Sequence, residues 1–200
     1  MLLLPPIAML ILGSASPRRR ELLGLVCPAL EFRIVAPDVD ESVRAGEDAL
    51  AYLVRIVRDK AMDVARRTRG TDASLLLCAD TSVIVDGRVL GKPEDEEHGR
   101  AMLRELSGRT HEVWTAFVLA DASGAVKHEE VVRTRVSFRA LRAAEIDAYV
   151  AGGEGRDKAG GYAIQGGAAA FVHSIEGSPT NVVGLPLCEV TVALANSGGA

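Results

Sequence analysis

The dipeptide Asp86-Gly87 follows the apolar run Leu75-Leu-Leu-Cys-Ala-Asp-Thr-Ser-Val-Ile-Val85 and precedes Arg88-Val-Leu90, and Asp-Gly at such a place closes a β-hairpin. A hairpin forces at least one antiparallel pair of strands. The rest of the chain alternates short apolar runs with segments of helical period. The fold expected is therefore α/β, with a mixed, partly antiparallel sheet flanked by helices.

The pattern predicts a strand over 7–12, a helix over 17–26, a strand over 31–35 and a polar loop through Asp40 and Glu41. A helix over 46–68 and a strand over 75–79 lead to the hairpin. A helix near 94–107, stopped by Gly108, precedes strands over 111–120 and 125–139 joined through Asp121-Ala-Ser-Gly124. A helix near 142–151, a glycine-rich stretch over 152–167, a strand near 169–175 and a helix over 187–195 complete the order.

The 200 residues suit one domain, or two small lobes sharing a cleft. A chain of this length buries about 70% of its unfolded surface and needs no disulfide or metal staple. No repeat or Ser/Pro linker divides it, so residues 1–200 read as a single domain with 1–6 as a frayed extension. A composition of 48% hydrophobic and 25% charged residues excludes a disordered chain. With 23 basic against 27 acidic residues the net charge is −4, which does not suit a protein that holds nucleic acid by counterion release. Cys27, Cys78 and Cys188 lack metal-ligand spacing and have apolar flanks, as expected of buried thiols in a reducing, cytoplasmic setting. The opening MLLLPPIAMLILGSAS imitates a secretion signal, but no positive segment precedes it and two prolines interrupt it. It is also too short to span a bilayer, so Ile7 to Leu12 reads as a buried first strand and no membrane partner is expected.

Four stretches hold residues that folding alone does not require. In Gly13-Ser-Ala-Ser-Pro-Arg-Arg-Arg20, Ser16 is a natural N-cap and Pro17 a natural first helical residue. Arg18, Arg19 and Arg20 then sit in the first turn, where each cation costs about 0.3–1 kcal/mol against the helix dipole. Together with the Ser14 and Ser16 hydroxyls they make a phosphate cradle; the alternative is three solvated arginines. On the helix over 46–68, Leu50, Leu53, Ile56, Val57 and Val64 form an apolar stripe, and Lys60 falls inside it, about 20° from Leu53 at about 100° per residue. Lys60 either meets an anion there or snorkels past the helix edge to solvent.

Asp80 is the one carboxylate within the apolar run 75–85, where it must be paired, hydrogen-bonded or metal-bound if it is not a turn residue between strands. Thr81 and Ser82 continue this polar notch, and downstream Lys92 lies between Gly91 and Pro93. Finally, Gly155-Arg-Asp-Lys-Ala-Gly-Gly-Tyr-Ala-Ile-Gln-Gly-Gly167 carries Asp157, Lys158 and Gln165 among five glycines. That describes either backbone bent closely around a ligand or a flexible surface loop. Gly87-Arg-Val-Leu-Gly-Lys-Pro93 is too short between its glycines for a P-loop, and His98, His111, His128 and His173 show no metal-ligand spacing.

Ser14-Ala-Ser-Pro-Arg-Arg19, Ala79-Asp-Thr81, Gly91-Lys-Pro93, Leu106-Ser-Gly-Arg-Thr-His111, Asp157-Lys-Ala-Gly-Gly-Tyr162, Ile164-Gln-Gly166 and Val183-Gly-Leu-Pro186 together resemble the Maf family, over about Leu10 to Val192. Members of that family were first described as septum-formation inhibitors and are regarded as nucleotide pyrophosphatases. The resemblance implies two lobes around a cleft, a fold related to the inosine triphosphate pyrophosphatases, and a homodimer. It implies cleavage of a nucleoside triphosphate to monophosphate and pyrophosphate with Mg2+ or Mn2+. By the same resemblance Asp80 corresponds to the proton acceptor and shares the metal with Glu41. Ser14, Arg18, Lys60, Lys92 and Lys158 would hold phosphates, and Arg19, Thr81 and Gln165 match positions tied to base choice. The form Asp-Lys-Ala-Gly-Gly-Tyr resembles the dTTP/UTP subgroup. A 7-methyl-GTP pyrophosphatase and a non-cleaving nucleotide-sensing regulator of septum formation are the alternatives. Gly13 departs from the pattern, which more often has Ala there.

Overall fold

Leu10, Ile11 and Leu12 are apolar at consecutive positions, and strand β1 (Leu10–Gly13) is accordingly buried on both faces. It pairs in parallel with β2 (Phe32–Ile34) on one side and β3 (Leu75–Val85) on the other, so that Leu12 lies opposite both Ile34 and Leu77. The computed structural model describes residues 7, 9–26 and 30–197; residues 1–6, assigned above to a frayed extension, and Cys27 lie outside the described residues.

The remaining strands are β4 (Arg88–Leu90), β5 (Thr110–Asp121), β6 (Val126–Phe138) and β7 (Val172–Glu176). The seven-stranded sheet has the order β2-β1-β3-β5-β6-β7, with β4 paired to β3. Its β1 pairs are parallel, whereas β3–β4 and β6–β7 are antiparallel, so the sheet is mixed as the hairpin signal required. Asp86 and Gly87 both take positive φ, 49° and 76°, as a two-residue I′ turn demands, and Val85 faces Arg88 across it.

The chain forms two compact units. The first comprises the described residues up to Asp80, then Thr115–Val132 and the segment from Gly184 onward. It carries helices α1 (Pro17–Val26), α2 (Ala49–Arg67) and α6 (Leu187–Asn196). Ser16 caps α1 by accepting the Arg19 N–H at 3.4 Å, and Asp48 caps α2 by accepting the Ala51 N–H at 2.8 Å. Leu53, Ile56, Val57, Ala61 and Val64 of α2 are fully buried, while Leu50, expected on the same stripe, stands near the helix start and is exposed.

The second unit comprises Thr81–Trp114 and Arg133–Val183, with helices α3 (Glu96–Leu106), α4 (Ala143–Ala151) and α5 (Pro179–Val183). Its core joins Leu103 and Leu106 of α3, Ile146 and Tyr149 of α4, and Phe138, Tyr162 and Phe171. Asp95 caps α3, Glu96 and Glu97 complement its first turn, and Gly108 ends the region at φ 69°.

Three further expectations differ from the structure. Strand β3 does not stop near residue 79 but runs through Asp80 to Val85, because the β-branched residues beyond Asp80 pair with β4. The stretch expected as strand near 169–175 begins as a 3-10 turn over Gly167–Phe171. Cys188, expected buried, is exposed at the start of α6, whereas Cys78 is buried in β3.

Candidate active site

Helix α2 and strand β3 set the central pair. Lys60 is 5% exposed, with its stem among the buried side chains of α2, and its ammonium stands 2.6 Å from Asp80 Oδ1. The same nitrogen lies 2.6 Å from Glu41 Oε1. Snorkelling is thereby excluded: the lysine on the inward face meets two carboxylates. Asp80 is 8% exposed within a continuous strand, so it is not a turn residue either.

Glu41 belongs to an irregular strap between β2 and α2, and side chains of α2 hold that strap in place. Asp63 accepts the Asp38 N–H at 2.9 Å and is itself ion-paired with Arg67 at 2.9 Å. Arg67 also donates to the Ala36 carbonyl, and Arg55 to the Ser42 carbonyl at 2.9 Å. The Tyr52 hydroxyl donates to the backbone carbonyl of Glu41 itself at 3.0 Å. Burial, together with the Asp80 and Glu41 charges, pushes the Tyr52 hydroxyl well above its usual value and keeps it a donor.

The β1–α1 turn gathers further cations. Ser14 is buried, and its hydroxyl accepts from the Ser16 N–H at 3.1 Å and from Arg19 Nη1 at 3.3 Å. Arg19 Nε donates to the Gly184 carbonyl at 2.7 Å, which ties the turn to the segment entering α6. Burial lowers the Arg19 guanidinium from its usual value, while the Asp80 and Glu41 carboxylates oppose that shift. Behind them the Cys78 thiol is pushed up to about 12 by burial, against the opposing charges of Lys60 and Arg19. Arg18 is half-buried in the same first turn.

The first unit thus brings together Ser14, Arg19, Glu41, Lys60 and Asp80. Thr81, Lys92, Lys158 and Gln165 belong to the second unit. Lys92 is exposed between Gly91 and Pro93, and the Gly160 N–H donates to the Gly91 carbonyl at 2.9 Å, joining the Lys92 and Lys158 segments. Lys158 pairs with the neighbouring Asp157. Gln165 is exposed and Thr81 half-buried.

The segment 152–167 is folded rather than a flexible loop. A Cβ on Gly155 would stand 2.0 Å from the Gly161 carbonyl oxygen, so only glycine lets the two backbones close on each other. The Tyr149 hydroxyl accepts the Ala163 N–H at 2.9 Å, and Glu154 accepts the Gly167 N–H at 2.9 Å. Tyr162 is buried with its hydroxyl 2.8 Å from His111 Nε2.

Sequence reasoning passed over Tyr52, Asp63, Tyr149 and the His111–Tyr162 pair. Asp63 could have been found as Lys60 was, since it too is a charge that helical projection places near the buried face of α2. The tyrosine hydroxyls bond to backbone or across the chain and leave no spacing signal.

No group of three His, Cys, Asp or Glu side chains suited to a metal gathers among the described residues. Glu41 and Asp80 nevertheless supply two hard carboxylate donors on one point. Such a set suits an ion that also binds substrate phosphates, as Mg2+ sites commonly do, better than a closed protein cage.

The family model described as Maf-like protein matches residues 9–197. A dTTP/UTP pyrophosphatase from Geotalea uraniireducens is 50% identical over 189 residues, covering 94% of this chain and 95% of the relative. One from Myxococcus xanthus is 51% identical over 193 residues, covering 96% and 93%. Among solved structures, a HAM1 protein from Coxiella burnetii matches with a TM-score of 0.50 at 12% identity, covering 95% of this chain and all of the other, a likeness of fold.

Proposed function

Because the chain belongs to the Maf-like protein family, we propose that it is a nucleoside triphosphate pyrophosphatase that hydrolyses dTTP and UTP to the monophosphate and pyrophosphate. Support for the substrates comes from relatives of that name, half identical along nearly the whole chain. The observation that carries the reaction is the Asp80 carboxylate set in a buried strand and held 2.6 Å from the Lys60 ammonium.

A triphosphate repels an attacking hydroxide, so a site that cleaves it must neutralise charge and orient a water at once. In this reading Asp80 orients the water in line with the α-phosphorus and takes its proton. Lys60, Arg18 and Ser14 bind phosphate oxygens, the last through its hydroxyl. Lys92 and Lys158 bind phosphate as well. Arg19, Thr81 and Gln165 choose the base, Gln165 by its paired donor and acceptor. Glu41 and Asp80 hold Mg2+ or Mn2+, which when bound offsets charge on the phosphates and the leaving pyrophosphate. The protein acts as a homodimer in the cytoplasm.

The test is a panel of dTTP, UTP, 7-methyl-GTP and the common ribonucleotides, scored for pyrophosphate against orthophosphate. Pyrophosphate release that is fastest with dTTP and UTP is expected. Orthophosphate release would sink the bond assignment, and fastest turnover of 7-methyl-GTP the base assignment. Saturable binding without any cleavage would sink the enzyme.

A further inference from the structure

The two carboxylates assigned to the divalent ion already share a cation. Lys60 Nζ lies 2.6 Å from Glu41 Oε1 and 2.6 Å from Asp80 Oδ1, and with the Arg19 guanidinium, which also acts on both, it supplies the positive charge that two adjacent carboxylates require. A divalent ion joining the same two oxygen groups would stand within a few ångströms of that ammonium and be repelled by it. Nor can the ammonium leave easily for solvent. Lys60 is 5% exposed, and Ile56, Val57, Ala61 and Val64 around its stem on α2 are fully buried. Its carboxylate partners differ in freedom: the Asp80 side chain is 12% exposed, that of Glu41 43%. What would release the carboxylates is an anion that comes to the ammonium, and a triphosphate tail is such an anion.

We propose that Lys60 is an internal counter-ion that keeps the divalent cation off Glu41 and Asp80 until the phosphates of a nucleotide engage its ammonium. Metal and nucleotide then bind with positive coupling, and the nucleotide-free protein has little affinity for the ion. This rests on the functional reading above for the identity of the anion, but the property belongs to the nucleotide-free protein and is measured there.

The test is a titration with Mn2+ alone, without nucleotide, in which electron paramagnetic resonance counts the free ion. Lys60→Met and Lys60→Gln are each expected to bind one Mn2+ at least about tenfold tighter than the unaltered protein, within the range typical of coupling between sites. Adding Glu41→Gln to either variant should abolish the gain. Affinity equal to or weaker than that of the unaltered protein in both variants overturns the proposal, as does a gain that survives Glu41→Gln. A second measurement needs no change at Lys60. Glu41→Gln in the otherwise unaltered protein should leave the weak Mn2+ affinity as it is, and a clear fall would show that the ion already binds at these carboxylates, against the proposal. Failure to release pyrophosphate from any nucleotide, with the Mn2+ gain intact, sinks the functional reading alone.

Discussion

Lys60 of α2 and Asp80 of β3 form an ion pair at 2.6 Å in which both residues are less than a tenth exposed. Removing one member of such a pair strands the other, at a cost of about 3–5 kcal/mol when burial is complete. Glu41 is partly exposed and Arg19 also acts on Asp80, so the loss here should fall toward the lower end. Lys60→Met is expected to lower unfolding stability by about 3 kcal/mol, and Lys60→Met with Asp80→Asn to regain most of it. Urea denaturation of the two variants checks this; equal losses would mean that the pair contributes through something other than charge.

Asp80→Asn keeps the shape of the side chain and its place in the strand while removing the carboxylate proposed above as the proton acceptor. The variant should fold, and its rate of pyrophosphate release from dTTP should fall about 100- to 10,000-fold, the span typical of general-base removal. Because the Lys60 ammonium still meets Glu41, KM for the nucleotide should change far less than kcat. Steady-state kinetics separates the two; an unchanged kcat would remove Asp80 from the reaction.

Much of this arrangement is legible in the chain because it breaks local rules. Asp80 interrupts an apolar run and Lys60 interrupts an apolar stripe, and each violation marks a residue whose partner lies elsewhere. That the two are each other's partner is not legible, because only the packing of α2 on β3 brings positions twenty apart together. The strap bearing Glu41 is opaque for a related reason. Its anchors, Asp63 to the Asp38 N–H and Tyr52 to the Glu41 carbonyl, are side chains bonding to backbone, which carries no sequence identity. The ends of the expected helices are legible to within three residues, whereas β3 outruns its expected end because pairing with β4 overrides the polar notch at Asp80 to Ser82. The five-residue α5 is too short to show a period.

Gly13 lies opposite Cys78 across the β1–β3 ladder, and a Cβ at residue 13 would stand 2.3 Å from Cys78 Sγ and 2.9 Å from Val64 Cγ2. The departure from Ala at this position thus has a local cause: the buried thiol fills the room. Gly13→Ala should destabilise the protein by about 1–3 kcal/mol through overpacking, and Cys78→Ala should relieve part of that loss. Since Gly13 leads directly into Ser14, the single variant should also raise KM for the nucleotide. A double-mutant cycle by urea denaturation measures the coupling, and additive effects would show that the two side chains do not compete for space.

His111 is 2% exposed, its Nε2 is bonded to the Tyr162 hydroxyl at 2.8 Å, and its Nδ1 has no partner among the described residues. Burial pushes its pKa from 6.5 down to about 4, so the folded state holds the ring neutral while the unfolded state protonates it first. The neutral ring therefore favours folding fully above about pH 6.5, and that advantage is lost as pH falls toward 4, below which this group changes nothing more. The loss amounts to about 3 kcal/mol over that window. Glu47 and Asp121, held down to about 2 by Arg55 and by Ser123 respectively, lose their contribution only below the ordinary carboxylate range, so the two windows barely overlap. Between pH 6.5 and 4.5 the slope of unfolding free energy against pH should thus report His111, and His111→Gln should flatten it. Urea denaturation at closely spaced pH values checks the slope. Parallel curves for the two proteins would mean that the Tyr162 contact tolerates a protonated ring.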